Sequence, residues 1–353
     1  MENRDGQGGK GLGVTPPLPR QVYSRKVKLT SENIHLVGPP GVGKTTILLD
    51  YLGREFPGKW IYVDLLNPKY NSNWQSLSNA QLLAIDNYQK RWVPLSLQLP
   101  SPNFPTILVS RLETPTPPGF KRIELWGFDW EEFVGVQRSI DQATAHYLEW
   151  GCLPEGFWSD QFRREREWWR FLPDWQLPVE WVTTIWKILG EKITRFQLYR
   201  LLHTHLPLSK TRFYRELERL KTAGLLFEVP KFNAPSSPRK FFSYNPHFRL
   251  LVNPVKNLNY LIPALYYINR LIGQKVYYTS QFTFFLPERQ LGVICSPFPN
   301  WLKLERVIIE GLKKFPNVKI EIVVFNLTEE LEKWTFMENN RLKIAPFSQL
   351  FVE

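Results

Sequence analysis

Apolar runs and polar breaks alternate along the first third of the chain. Residues 34–37 (IHLV) form a short, mostly apolar run, followed by a Gly-rich turn and by TTILLDYL, whose apolar positions recur at helical spacing. WIYVDL at 60–65, QLLAID at 81–86, TILVS at 106–110 and RIELW at 122–126 add four more runs of strand length. Such runs, interleaved with helical or loop stretches, predict an α/β fold with a parallel sheet. The stretches between the second and fourth runs are rich in Pro and Asn and carry weak helical periodicity, so long loops are expected there. Residues 1–21 are rich in Gly and Pro without a periodic pattern and read as a flexible tail.

From Trp130 the pattern turns helical through WEEFVGVQRSIDQATAHYLEW, and three further helical patterns fill 179–225. A Pro/Ser/Lys loop follows. The last hundred residues mix a helix (YLIPALYYINRLIG), three strands (FTFFL, LGVICS, KIEIVVF) and another helix (WLKLERVIIEGLKKF), which reads as a separate α/β unit. With 353 residues, 43% of them apolar, the chain is long enough for two or three cored domains, and wholesale disorder is excluded. No run of about 18 apolar residues suggests a membrane span. Two cysteines, Cys152 and Cys295, make neither a disulfide framework nor a zinc cluster, and the first residues lack the apolar core of a secretory leader. A cytoplasmic protein is expected. Trp168, Trp169, Trp181 and Trp186 lie in helical patterns and read as core, and His203-x-His205 has no further ligand at zinc spacing.

The sharpest motif is GPPGVGKT: Gly38, Pro39, Pro40, Gly41, Val42, Gly43, Lys44 and Thr45, with Thr46 opening the helix behind it. It fits the phosphate-binding pattern G-x-x-x-x-G-K-[ST] between a strand and a helix. Glycines let backbone N–H groups turn toward phosphates, and the helix N-terminus adds positive potential. Lys44 is suited to the β- and γ-phosphates of ATP and Thr45 to Mg²⁺. The metal also needs a strand-end carboxylate. Asp86 is favoured, because its strand precedes TILVS, whose polar tip Ser110 suits a sensor role; Asp64 competes. Asn87 stands where a water-activating acid is expected after Asp86. An amide orients water but takes no proton, so hydrolysis could be slow or lost while binding persists.

Together these segments resemble the archaeal and bacterial ATPases of the AAA+ superfamily that carry a P-loop domain, a winged helix and a C-terminal domain with a restriction-endonuclease-like core. The nucleotide loop, YVDLLNP, LLAIDNYQ (Asp86 and Gln89 kept), LVSRLE, RIELWGFDWEEF (Glu132, Phe133), HYLEWGCLPE (Cys152 for a glycine) and TRFYRELERLKTAGLLFEVPKF occur in the family's order. The resemblance implies an AAA+-like P-loop core at 22–138, a helical lid or linker at 139–177, a winged helix at 178–252 and a small α/β domain at 253–353. Arg111 and Arg122 are implied candidates for arginine fingers or sensors, Arg122 sitting near where the family carries an arginine; fingers would act across a homo-oligomer. The nuclease-like core departs most. Gln281, Thr283 and Ser296 stand in its aligned segments where the family has carboxylates and a lysine, and Glu288 reads as a turn residue. DNA cleavage is therefore not expected, and packing or contact with a protein partner is.

Charge is uneven. The chain carries +12, and 161–249 holds seventeen Lys/Arg against eight Asp/Glu, a surplus of nine. LPLSKTRFYRELERLKTAGLL reads as the third helix of a helix-turn-helix unit, with Ser209 as N-cap and Phe213, Leu217 and Leu220 facing the core. Lys210, Arg212, Tyr214, Arg215 and Arg219 would face outward, and Lys231, Arg239 and Lys240 would lie on the wing. This set is suited to the phosphates of duplex DNA. Glu216 and Glu218 on the same helix favour the alternatives, a solvated face or a protein-docking module. The combined expectation is an ATP-binding protein whose nucleotide state controls a DNA-contacting winged helix. A nucleotide-gated regulator without useful hydrolysis, or a protein–protein scaffold, remain the alternatives.

Overall fold

The computed structural model describes residues 22–67, 80–89, 104–137, 139–154, 161–205, 207–326 and 341–349, together with Pro16, Pro19 and Leu99. Most of the expected tail, and most of the long loops expected between the second and fourth strands, lie outside the described residues. The chain divides into two compact units, residues 1–127 with 222–224, and residues 128–221 with 225–353.

In the first unit all five apolar runs are strands: β1 (Ile34–Val37), β2 (Trp60–Asp64), β3 (Leu82–Asp86), β4 (Thr106–Ser110) and β5 (Lys121–Glu124). They form one parallel sheet in the order β2-β3-β4-β1-β5. Strands β1, β3 and β4 are buried along their whole length, which is why they read as continuous apolar runs rather than as alternation. β5 (KRIE) is an edge strand whose charges discourage pairing with another chain. Helix α1 (Lys44–Glu55) follows β1 and buries Leu48, Leu49, Tyr51 and Leu52. The register sets Asp64 at the end of β2 beside Asp86 at the end of β3.

The second unit opens with α2 (Trp130–Val134), where Asp129 and Glu132 form a reciprocal capping box, then α3 (Ile140–Trp150) and α4 (Gln161–Arg170). Glu132, one of the family-like pair, is thus a helix cap. The three helices expected over 179–225 are α5 (Val179–Lys187), α6 (Arg195–His205) and α7 (Lys210–Thr222). A two-residue strand, β6 (Lys192–Ile193), lies between the first two. It joins β7 (Leu226–Val229) and β8 (Arg239–Ser243) in an antiparallel sheet ordered β6-β8-β7. Trp168, Trp175, Trp181 and Trp186 are buried, and the Trp186 ring stacks on Phe248 with centroids 4.8 Å apart. Trp168, Trp181 and Trp186 are core, as their helical spacing implies, but Trp169, expected in the core on the same ground, is exposed.

The last segment holds α8 (Phe248–Val252), α9 (Leu258–Tyr266, continued by a π-helical turn), β9 (Phe284–Leu286), β10 (Leu291–Cys295), α10 (Trp301–Lys314), β11 (Lys319–Val324) and β12 (Leu342–Pro346). Its sheet runs β12-β11-β10-β9, with only β9 antiparallel to its neighbour. Phe282 fills the gap between sheet and helix. A Cβ on Gly292 of β10 would stand 2.7 Å from the Phe282 ring, and one on Gly311 of α10 would stand 2.8 Å from it. The ring is buried among Phe285, Ile294, Leu304 and Ile308. Gly292→Ala is therefore expected to lower the unfolding free energy by about 1–3 kcal/mol, the usual cost of overpacking, in a urea titration.

Candidate functional site

The phosphate-loop motif occupies the turn between β1 and α1. Gly41 (φ 75°) and Gly43 (φ 90°) take the left-handed conformation that lets successive N–H groups turn inward. Gly38 is required for a different reason: a Cβ there would lie 2.1 Å from the Leu125 carbonyl oxygen. Val42 is fully buried and anchors the loop. The Lys44 ammonium donates to the carbonyl oxygens of Gly38 (2.9 Å) and Pro39 (2.7 Å) and so spans the loop. The first turn of α1 carries no acidic residue to offset the positive helix end. Arg25 fastens the loop from behind, donating to the Val42 carbonyl (3.0 Å) and to the Trp126 carbonyl (2.7 Å). Nothing in the motif points to Arg25, because its partners are main-chain atoms.

Thr45, in the first turn of α1, donates to Asp86 Oδ2 at 2.6 Å. Tyr62 on β2 donates to the same oxygen at 2.9 Å, and the Asn87 N–H donates to Asp86 Oδ1 at 2.8 Å. Asp86 is 2% exposed. Burial pushes its carboxyl above the ordinary aspartate value; the Thr45, Tyr62 and Asn87 hydrogen bonds oppose the shift, and the nearby Asp64 charge adds to it. A hydroxyl and one carboxylate are hard oxygen donors of the kind Mg²⁺ takes when phosphates and waters complete its shell, so these residues fit that ion. Among the described residues, no group of three or more His, Cys, Asp or Glu gathers that could hold a metal by itself.

Asp64 lies elsewhere in the same row. Its Oδ1 accepts from Asn87 Nδ2 (2.8 Å) and from the Leu66 N–H (2.9 Å). Asn87 adopts φ 54°, a left-handed conformation that Asn tolerates better than most side chains. Ser110 is 4% exposed, and its hydroxyl donates to its neighbour's carbonyl on Arg111 (3.1 Å). His35 Nε2 must then donate to Ser110 Oγ (2.7 Å), leaving Nδ1 to accept from Thr116 Oγ1 (3.0 Å). Arg122 donates to Thr116 and to the carbonyls of Leu112 and Thr114, and pairs with Glu124, so it holds the 112–116 turn. Burial, aided by the Arg122 charge, lowers the His35 pKa to about 4. The imidazole is neutral at pH 7, as the chain of hydrogen bonds requires.

The basic residues separate into two sets. Lys210, Arg212, Tyr214 and Arg215 are exposed on α7, whose first turn is capped by Ser209 accepting from the Arg212 N–H (3.2 Å). Arg219 instead bonds Glu216 (2.8 Å) and the Trp175 carbonyl. Arg239 pairs with Glu228 (2.6 Å), a side chain 5% exposed that Arg195 and Lys221 also hold. Burial alone would raise the Glu228 pKa, but Arg195, Arg239 and Lys221 outweigh it and hold the group below its ordinary value. Lys240 sits over the Tyr278 ring (5.3 Å), its pKa lowered to about 8 by burial and by Lys192. Lys231 is half-buried, its backbone bridged to Tyr278. In the last segment Thr283 Oγ1 accepts from the Cys295 N–H (3.1 Å), the Ser296 N–H is bonded to the Val323 carbonyl (2.9 Å), and Glu288 lies in a short turn after β9. Gln281 is half-buried and accepts from Ser280.

No protein-family model matches the chain, and no curated protein matches it in sequence. Among solved structures, a Walker-type ATPase of Pyrococcus abyssi is similar at a TM-score of 0.38 and 14% identity, over 62% of this chain and 90% of that one. Among the described residues no helix is long and apolar enough to cross a membrane.

The His35 assignment has a pH signature. A folded pKa of about 4 lies below the ordinary 6.5, so the unfolded chain takes the proton first as pH falls. The stabilisation from neutral His35 is complete above pH 6.5 and is lost between there and about pH 4. Over that window the wild-type unfolding free energy should fall by about 3 kcal/mol more than that of His35→Asn, measured by denaturant titration.

Proposed function

We propose that the chain binds ATP with Mg²⁺ at the turn between β1 and α1, and that the exposed basic face of α7 contacts duplex DNA. One observation carries the nucleotide reading. The hydroxyl of the phosphate-loop threonine meets a buried strand-end carboxylate 41 positions away, at 2.6 Å. Loop N–H groups and the α1 N-terminus would receive the phosphates, and Lys44 would exchange its loop carbonyls for β- and γ-phosphate oxygens. Thr45 and Asp86 would hold Mg²⁺, which when bound neutralises phosphate charge. Ser110, with its hydroxyl donating to the Arg111 carbonyl, is a positioning residue.

The succession of helix, short strand, two helices and hairpin from α5 to β8 supports reading this segment as a winged helix. Lys210, Arg212, Tyr214 and Arg215 then make the contact surface, with Arg212 beside the α7 N-terminus. Arg219 and Arg239 serve the fold. A second reading, a nucleotide-gated regulator that does not turn over, is favoured by Asn87, whose amide cannot accept a proton. Contact with a protein partner through the last α/β segment, and assembly with further copies, remain proposals that rest on the resemblance.

Lys44→Ala is expected to abolish binding of a fluorescent ATP analogue, and unchanged affinity would overturn the site. Reversing charge at Arg212 and Arg215 should weaken duplex binding for all sequences and flatten the dependence of log K on log salt by about 1 for each phosphate no longer neutralised. Unchanged DNA affinity in that variant would leave α7 a protein-docking face.

A further inference from the structure

Asn87 removes the acid expected after Asp86, but the register of the sheet supplies another. Asp64 ends β2 directly beside Asp86, and Asn87 turns through a left-handed conformation to donate its Nδ2 to Asp64 Oδ1. The Leu66 N–H lands on that same oxygen. Both bonds hold one face of the carboxylate, and among the described residues Oδ2 has no hydrogen-bond donor. Asp64 is partly exposed, unlike the buried Asp86. The two carboxylates differ in consequence. Asp86 is enclosed and bonded by Thr45 and Tyr62, whereas Asp64 is partly exposed and held through one oxygen.

We infer that Asp64 is the general base for ATP hydrolysis at this site, fixed in place by the Asn87 amide; the inference rests on the nucleotide reading above. Asp64 Oδ2 accepts a proton from the attacking water. The water oxygen forms a bond to the γ-phosphorus, and the bond from that phosphorus to the β–γ bridging oxygen breaks. ADP leaves with the electron pair, and the proton passes from Asp64 to solvent. Asn87 is a positioning residue: it cannot take a proton, but its amide decides where the Asp64 carboxylate points.

The test uses the full chain with duplex DNA, reading ATP turnover and binding of a fluorescent ATP analogue. Asp64→Asn should lower kcat about 10²–10⁴-fold, the range general-base catalysis spans, with the affinity for the analogue unchanged. Asp64→Glu should recover part of the rate. Turnover in Asp64→Asn equal to wild type, with Lys44→Ala inactive, would overturn the assignment and leave Asp64 a strand-end turn residue. Wild-type protein that binds the analogue without turnover sensitive to Lys44→Ala would also overturn it, with the nucleotide reading intact. Failure of the wild type to bind the analogue would overturn that reading itself. Should Asp64→Asn not fold, Asp64→Ser is read in its place against the same outcomes.

Discussion

The hydrogen bond between Thr45 and Asp86 ties the first turn of α1 to the far end of β3, with β4 standing between β3 and β1. Much of the first unit is arranged around it. Asp86 is buried, and a carboxylate withdrawn from water needs several donors; Thr45, Tyr62 and the Asn87 N–H supply them. The donors come from three places, the helix, the neighbouring strand and the turn after β3, so the bond holds only when the sheet is in its observed order and register. Gly38, pressed against the Leu125 carbonyl, and Arg25, clamped to the Val42 and Trp126 carbonyls, fix the loop that presents Thr45. Removing a donor would leave a buried acceptor short of partners, at a cost of about 1–3 kcal/mol.

A second carboxylate organises the second unit in the opposite electrostatic sense. Glu228 on β7 draws in Arg195 from α6, Lys221 from α7 and Arg239 from β8. A single buried acid thereby takes up three of the cations that give the segment its basic surplus. The exposed positive face is narrower than the composition suggests. Lys210, Arg212 and Arg215 project from the N-terminal half of α7 beside a capped helix start, and Arg166, Arg170, Lys187, Lys192 and Arg200 are exposed elsewhere in the segment.

The first unit is readable from its residues because its chemistry is local. Strands buried on both faces appear as apolar runs, and the phosphate motif fixes its own turn. What escapes is non-local or very short. β6 has two residues, and β12 mixes Leu342, Lys343 and Pro346 in a pattern no periodicity marks as a strand. Tyr62 reads only as a strand aromatic until the register sets it beside Asp86. His35 interrupts an apolar run for the sake of Ser110 and Thr116, both far along the chain. The outward assignments of Arg219, Arg239 and Lys240 follow helix and hairpin geometry, which is blind to the Trp175 carbonyl, Glu228 and Tyr278 on other elements.

The most direct measurement of the central claim is a double-mutant cycle on calorimetric Mg·ATP affinity, using Thr45→Val, Asp86→Asn and the pair. If the two side chains hold one ion together, each single change should remove most of the Mg²⁺-dependent affinity. The double change should then add little, a coupling of about 1–3 kcal/mol, while ATP binding without Mg²⁺ should be much less affected. Additive losses, or equal losses with and without Mg²⁺, would contradict a shared metal role for Thr45 and Asp86.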